Sequence, residues 1–131
     1  MLQRIIDIDP NHTNALNALG YAYADRGIKL TEAESLIRKA LANEPENAAI
    51  IDSLGWVSYR LGHLRQSLTL LTKAYDIMPA AEIAAHLGAV QWALGDTKGA
   101  FKTWNLALSI EPDNALIKQA ILDAQNEFQS D

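Results

Sequence analysis

One spacing limits what this chain can become. The pair Leu-Gly recurs as Leu19-Gly20, Leu54-Gly55 and Leu87-Gly88, and proline recurs at Pro10, Pro45, Pro79 and Pro112. The glycines stand 35 and 33 residues apart (55 − 20 and 88 − 55), and the last three prolines stand 34 and 33 apart (79 − 45 and 112 − 79). Each period holds two apolar stripes at helical spacing, separated by Gly27, Gly62 or Gly95. A helix pair of this length cannot bury its apolar face alone, so a period near 34 residues requires the pairs to stack into a solenoid. The predicted fold class is all-α, an α-solenoid of antiparallel helix pairs closed by a C-terminal capping helix.

In chain order, residues 1–10 read as the end of a truncated repeat, with Leu2, Ile5 and Ile6 as its apolar stripe and Asp9-Pro10 as its stop. Three full units follow, residues 11–45, 46–79 and 80–112, and residues 113–131 form the capping helix; the whole of 1–131 is one domain. The chain therefore reads as a fragment of a longer array, with Leu2, Ile5 and Ile6 left exposed at one end. The predicted helices cover 12–26, 31–42, 47–60, 64–77, 80–93, 97–109 and 114–128. Gly27 should end the first as a left-handed cap. Thr31 with Glu34 reads as a capping box for the second, and Asn47 as the N-cap of the third. From Gly27 to Ala33 there are six steps, against five in the other units (62 to 67, 95 to 100), so the first turn carries one extra residue. In the last helix Ile117, Ala120, Ile121, Ala124 and Phe128 are apolar, while Lys118, Gln119, Asp123 and Glu127 make the other face polar.

Composition narrows the function by exclusion. A net charge of −5, with the basic residues scattered, is the wrong sign for a phosphate-backbone binder. Without cysteine there is neither disulfide framework nor thiolate chemistry, and no apolar run is long enough to insert this segment into a membrane. His12, His63 and His86 fall in different units, so no metal site is expected. Asp7 with Asp9, and Glu111 with Asp113, flank proline turns and read as caps or solvated carboxylates. No Ser-His-Asp arrangement, phosphate loop or HExxH spacing occurs, and Asp52-Ser53 has no base placed to activate the serine. Neither an enzyme nor a cofactor is expected.

The three units resemble the tetratricopeptide repeat (TPR), whose pattern is W-x₂-L-G-x₂-Y, then A-x₃-F, then P. The first runs Leu16-x₂-Leu19-Gly20-x₂-Tyr23, Ala33-x₃-Ile37-x₂-Ala40, Pro45. The second runs Ile51-x₂-Leu54-Gly55-x₂-Ser58, Ser67-x₃-Leu71-x₂-Ala74, Pro79. The third runs Ala84-x₂-Leu87-Gly88-x₂-Gln91, Ala100-x₃-Trp104-x₂-Ala107, Pro112. The departures are Ser58 and Gln91 in place of tyrosine, and Ser67 in place of alanine. The wording DSLGWVSYRLGH and IAAHLGAVQWALGD is similar to the C-terminal repeats of Gram-negative bacterial members of the family. Some of those are lipoproteins tethered to the outer membrane that gather a processing protease or cell-wall hydrolases. The resemblance implies a periplasmic or outer-membrane-tethered parent and leaves a cytoplasmic one open.

The same resemblance implies a right-handed superhelix with the first helix of each pair on its concave side. On those helices one face carries Asn17, Tyr21, Ala24 and Asp25; then Asp52, Trp56, Tyr59 and Arg60; then Ala85, Ala89, Trp92 and Ala93, with His86 as a groove or helix-contact residue. Tyr21 is equivalent to Trp56, and Tyr59 to Trp92, so stacking should set aromatics side by side across the groove. Trp56 and Trp92 either face the groove or pack between helices. The expected function is a protein-interaction scaffold whose groove takes an extended or helical peptide with apolar anchors, flanked by Asp52, Asn17 and Arg60. One subgroup of the family clamps a C-terminal carboxylate with lysine and asparagine here. Those positions hold Asn17, Tyr21, Asp52, Trp56 and Ala85, without a lysine, so that mode is excluded. The alternative is self-assembly, a homo-oligomer formed through the solenoid ends.

Overall fold

The computed structural model describes the backbone of residues 2–130 and the side chains of residues 2–126. A short α1 (Leu2–Ile8) leads into three hairpins, α2 (Thr13–Arg26) with α3 (Leu30–Asn43), α4 (Ala48–Arg60) with α5 (Leu64–Ile77), and α6 (Ala81–Ala93) with α7 (Thr97–Ile110), and α8 (Ala115–Ser130) follows. Among the described residues there is no strand.

Each hairpin closes on its repeated glycine. A Cβ on Gly20 would lie 2.6 Å from Ile37 Cγ1 and 3.0 Å from the Ala33 carbonyl oxygen, and one on Gly55 would lie 2.7 Å from Leu71. At Gly88 it would enter the Trp104 ring. The partner helix thus occupies the space a side chain would fill, which outweighs the cost of about 1 kcal/mol for glycine in a helix. Ala33, Ile37, Ala40, Leu71, Ala74 and Ala100 are completely buried beneath these glycines and their neighbours.

The three departures from the family pattern have found polar partners. Ser58 Oγ donates to the Leu54 carbonyl at 2.8 Å and accepts from Gln66 Nε2 at 3.2 Å. Gln91 Oε1 accepts from Thr103 Oγ1 at 2.7 Å. Ser67 Oγ donates to the Gly55 carbonyl at 2.7 Å, across the closest approach of α4 and α5. A fully buried hydroxyl is tolerated because it is hydrogen-bonded.

The extra residue of the first turn changes where α3 begins. In the second and third hairpins a left-handed glycine (Gly62, φ 85°; Gly95, φ 89°) is followed directly by the N-cap, His63 or Asp96. In the first, Gly27 is the left-handed cap as expected (φ 68°), and Ile28 precedes an N-cap at Lys29. Lys29 itself takes a positive φ of 47°, uncommon outside glycine, with its Nζ 5.1 Å from the Tyr23 ring centroid. The capping box expected at Thr31 is therefore not the cap: α3 starts at Leu30, and its N-cap makes no side-chain bond. The physical reason is packing register. N-cap and buried small residue are four apart in every hairpin (29 to 33, 63 to 67, 96 to 100), so Ala33 beneath Gly20 sets the helix start and overrides local capping chemistry. Asn47 does cap α4, accepting from the Ala49 and Ile50 amides at 3.0 and 3.3 Å.

Packing between hairpins is asymmetric. Successive first helices touch (α2 with α4, α4 with α6, α6 with α8), while successive second helices, α3 with α5 and α5 with α7, do not pack together. The row of first helices is consequently the inside of the curve. α8 continues that row, with Ile117 and Ala124 buried, Ala120 and Ile121 half-buried, and Gln119 and Asp123 exposed. The expected contribution of Phe128 and Glu127 falls outside the described side chains.

The N-terminal stripe was expected to be open. Instead Ile6 is buried and Leu2 and Ile5 are half-buried, all three packed on the cluster that contains Leu16 and Leu19. A single amphipathic helix can lay its stripe on α2 without a partner of its own, and α1 does so, leaving Ile8 81% exposed.

Candidate peptide-binding groove

On the inner side, α2, α4, α6 and α8 enclose a groove of about 530 Å³. Its floor is aromatic because Trp56 and Tyr59 lie one turn apart on α4 and the next repeat brings His86 against them. The Trp56 ring stacks on Tyr59 (centroids 4.9 Å apart, planes at 9°) and on His86 (4.1 Å, 21°). Tyr21 lies 6.0 Å from His86. Farther along, Trp92 lies 6.4 Å from Trp104 and meets Phe101 edge-on at 5.7 Å. Trp56 and Trp92 are both half-buried. Each does both things the sequence left open, packing on a neighbouring ring and lining the groove, as large amphipathic rings do.

Beneath the floor runs a chain of hydrogen bonds. Asp52 Oδ1 lies 2.9 Å from His86 Nδ1, and His86 Nε2 lies 3.3 Å from the Tyr21 hydroxyl. Asp52 is 5% exposed and His86 7%. The carboxylate accepts from Nδ1–H, which in a neutral imidazole leaves Nε2 to accept from the tyrosine. Asp52 was expected to flank the groove; it is buried under His86 instead. The two stand 34 residues apart, one repeat, so stacking brings α4 and α6 together at this pair and covers the carboxylate.

The other expected residues divide. Tyr21, Trp56, Tyr59, His86 and Trp92 line the groove together. Arg60 stays exposed at the edge, its guanidinium 5.2 Å from the Trp56 ring centroid and its Nη2 donating to the Asp25 carbonyl at 2.7 Å. Asn17 is half-buried away from the cavity, its Oδ1 without a hydrogen-bond partner among the described residues. Ala24, placed on the groove face by its spacing, is fully buried. Sequence reading missed Glu82, Trp104 and the α8 side of the groove, formed by Leu116, Gln119 and Asp123. A signal existed for two of these regions. Glu82, Ala85/His86 and Ala89 continue one helical stripe toward the N-terminus, and Leu116, Gln119/Ala120 and Asp123 repeat that spacing on α8.

Tyr21 holds its proton unusually firmly. Burial pushes its pKa well above the ordinary tyrosine value, and the neighbouring Glu82 carboxylate raises it further, followed by Asp25 and Asp52. A raised folded-state pKa contributes stability that is fully present below the unfolded value near 10.0 and is lost as pH rises beyond it. Denaturation midpoints of the native protein should therefore fall between about pH 9 and about pH 11, and Tyr21→Phe should flatten that fall. An equal fall in the variant would show that Tyr21 is not its source.

Among the described residues no three His, Cys, Asp or Glu side chains gather as a metal would require, and no helix is long and apolar enough to cross a membrane. No protein-family model matches the chain.

Stacked hairpins with a glycine at each crossing, a period near 34 and an inner row of first helices define a TPR solenoid, and the chain is a TPR protein. A TPR repeat-containing protein of Pseudomonas aeruginosa is 45% identical over 87 residues, which cover 66% of this chain and 15% of that protein. The match thus spans a small part of the relative's length. Among solved structures, a thermophilic TPR protein of Thermus thermophilus superposes with a TM-score of 0.82 at 19% identity, over 95% of this chain and 69% of that one. MamA of Desulfovibrio magneticus gives 0.73 at 20% identity, over 87% and 64%. PilF of Pseudomonas aeruginosa gives 0.77 at 20% identity, over 98% and 59%. At such identities these three speak for the fold alone. The TPR fold generally mediates contact between proteins.

Proposed function

We propose that this chain is a non-enzymatic scaffold that holds a segment of a partner protein in its inner groove. The observation that carries the reading is the half-buried aromatic floor, where Trp56, Tyr59 and Trp92 offer large, pre-ordered contact area inside a concave surface. In this reading the repeats are residues 11–45, 46–79 and 80–112, residues 113–131 are the capping segment, and Leu116, Gln119 and Asp123 of α8 supply the far wall. The Asp52–His86–Tyr21 chain has the form of an acid–base relay, but it lacks a nucleophile. The hydroxyl of Ser53, next to Asp52, donates to the Ala49 carbonyl of its own helix at 3.0 Å. The pair joins α4 to α6 and supports the Trp56 ring. The alternative, self-assembly through the solenoid ends, has less apolar surface to draw on at the α1 end, where Ile6 is buried and Leu2 and Ile5 are half-buried against α2.

Site-specific photocrosslinking in extract of the native host tests the proposal. A crosslinking residue at Glu82 or Gln119, both exposed on the groove, should give a defined adduct with another protein. The same residue at Arg65 or Lys102, exposed on second helices, should give none. Trp92→Ala should reduce the groove adduct at least tenfold. Adducts confined to the second-helix positions would overturn the groove assignment.

A further inference from the structure

We infer that the segment held in the groove presents a cationic side chain, arginine or lysine, between apolar neighbours, and that the groove selects for it. The inference rests on the groove reading above and adds the chemistry of the occupant. Three carboxylates stand around the cavity on three different helices: Asp25 on α2, Glu82 on α6 and Asp123 on α8. Among the described residues no lysine or arginine lines it. All three side chains are exposed, and among the described residues none is ion-paired. Among the described residues Asp123 accepts from Gln119 Nε2, at 2.8 Å, and Glu82 stands beside the Tyr21 hydroxyl.

The aromatic floor independently favours the same occupant. Ring faces attract cations by about 0.5–1 kcal/mol when exposed and about 2 kcal/mol or more when desolvated. The molecule already shows this contact, since the guanidinium of Arg60 lies over the Trp56 ring. That guanidinium is held by the Asp25 main-chain carbonyl, not by a carboxylate, so the acidic side chains remain available. One edge cation against three carboxylates leaves the groove mouth at −2 (1 − 3), and the whole chain at −5 adds to that field. An acidic segment would meet repulsion at the mouth. A purely apolar segment would cover carboxylates without pairing them, which costs desolvation with no return. A segment with a central cation and flanking apolar residues satisfies both the ring faces and the charges.

The test uses blocked synthetic peptides that are identical except at one central position, which carries Arg, Lys, Gln or Glu between leucines. Binding is followed through the fluorescence of the groove tryptophans at low and high salt. The Arg and Lys peptides should bind at least tenfold more tightly than the Glu peptide, and the gap should narrow as salt rises. Asp25→Asn, Glu82→Gln and Asp123→Asn combined should remove the preference, so that the Arg, Lys, Gln and Glu peptides bind the variant within about twofold of one another. These positions are exposed, so the triple variant should keep its native helicity and denaturation midpoint. Equal binding of all four peptides, preference for Glu, or no binding at all would overturn the inference. So would a concentration-dependent fluorescence change without peptide, which would mark a second copy of the chain as the occupant. The crosslinking result stands apart: groove adducts together with charge-blind peptide binding would sink the cation inference and spare the scaffold reading.

Discussion

Trp104→Ala should destabilise the fold by about 3–5 kcal/mol, the usual cost of deleting a buried tryptophan, and it should reverse the effect of a second substitution. Trp104 is 2% exposed on α7, with its ring against Gly88 of α6 and edge-on to Phe101. Its loss opens a cavity at the closest approach of the third hairpin. In the native background Gly88→Ala should also destabilise, by about 1–3 kcal/mol, because the new methyl meets a rigid ring that cannot step aside. In the Trp104→Ala background the same methyl enters vacated space, and the intrinsic helical advantage of alanine, about 1 kcal/mol, should appear as a gain. A urea-denaturation double-mutant cycle measures the change of sign. A neutral Gly88→Ala in the native protein would show that the α6–α7 contact is softer than its geometry. Gly55 makes the contrast, since its neighbour Leu71 is a flexible aliphatic chain. Gly55→Ala should cost less than Gly88→Ala.

Asp52→Ala should cost about 2–4 kcal/mol, because it leaves the buried His86 Nδ1–H without an acceptor. Asp52→Asn keeps an oxygen in place and should cost roughly 1 kcal/mol, the size of an ordinary neutral hydrogen bond. The difference separates a need for an acceptor from a need for bulk, and denaturation midpoints read it directly. The alanine variant should also disturb the Trp56 emission, since His86 stacks on that ring at 4.1 Å. If asparagine proves as damaging as alanine, then the negative charge itself matters and the pair acts as an ion pair.

Much of the architecture was legible because helical repeats advertise themselves locally. Leu16, Leu19, Ile51, Leu54 and Val57 follow a 3.6-residue stripe, and a stripe can face only one way once its helix forms. The glycine at each crossing and the left-handed turn at Gly27 could likewise be read from residue type. Local reasoning failed at Thr31, where a good capping sequence was overruled by the register of Ala33 beneath Gly20. It failed at α1, where a stripe without a sequential partner found cover on α2.

The groove was half legible. Tyr21, Trp56, Tyr59 and Trp92 followed from equivalent positions in successive repeats. His86 was legible as a groove or helix-contact residue, and it lines the cavity while stacking on Trp56. The burial of Asp52 was not legible, because it looks like a surface residue until the neighbouring repeat is laid on it. Glu82, Trp104 and Asp123 come from three different helices, and their meeting depends on curvature. By itself the chain determined helix pairing, period and core stripe, since those depend on neighbours a few residues or one hairpin away. Only the tertiary structure decided which polar groups are covered and which carboxylates share a mouth. Those outcomes depend on how far each hairpin rotates against the next, an angle set by many side chains at once and by no single motif.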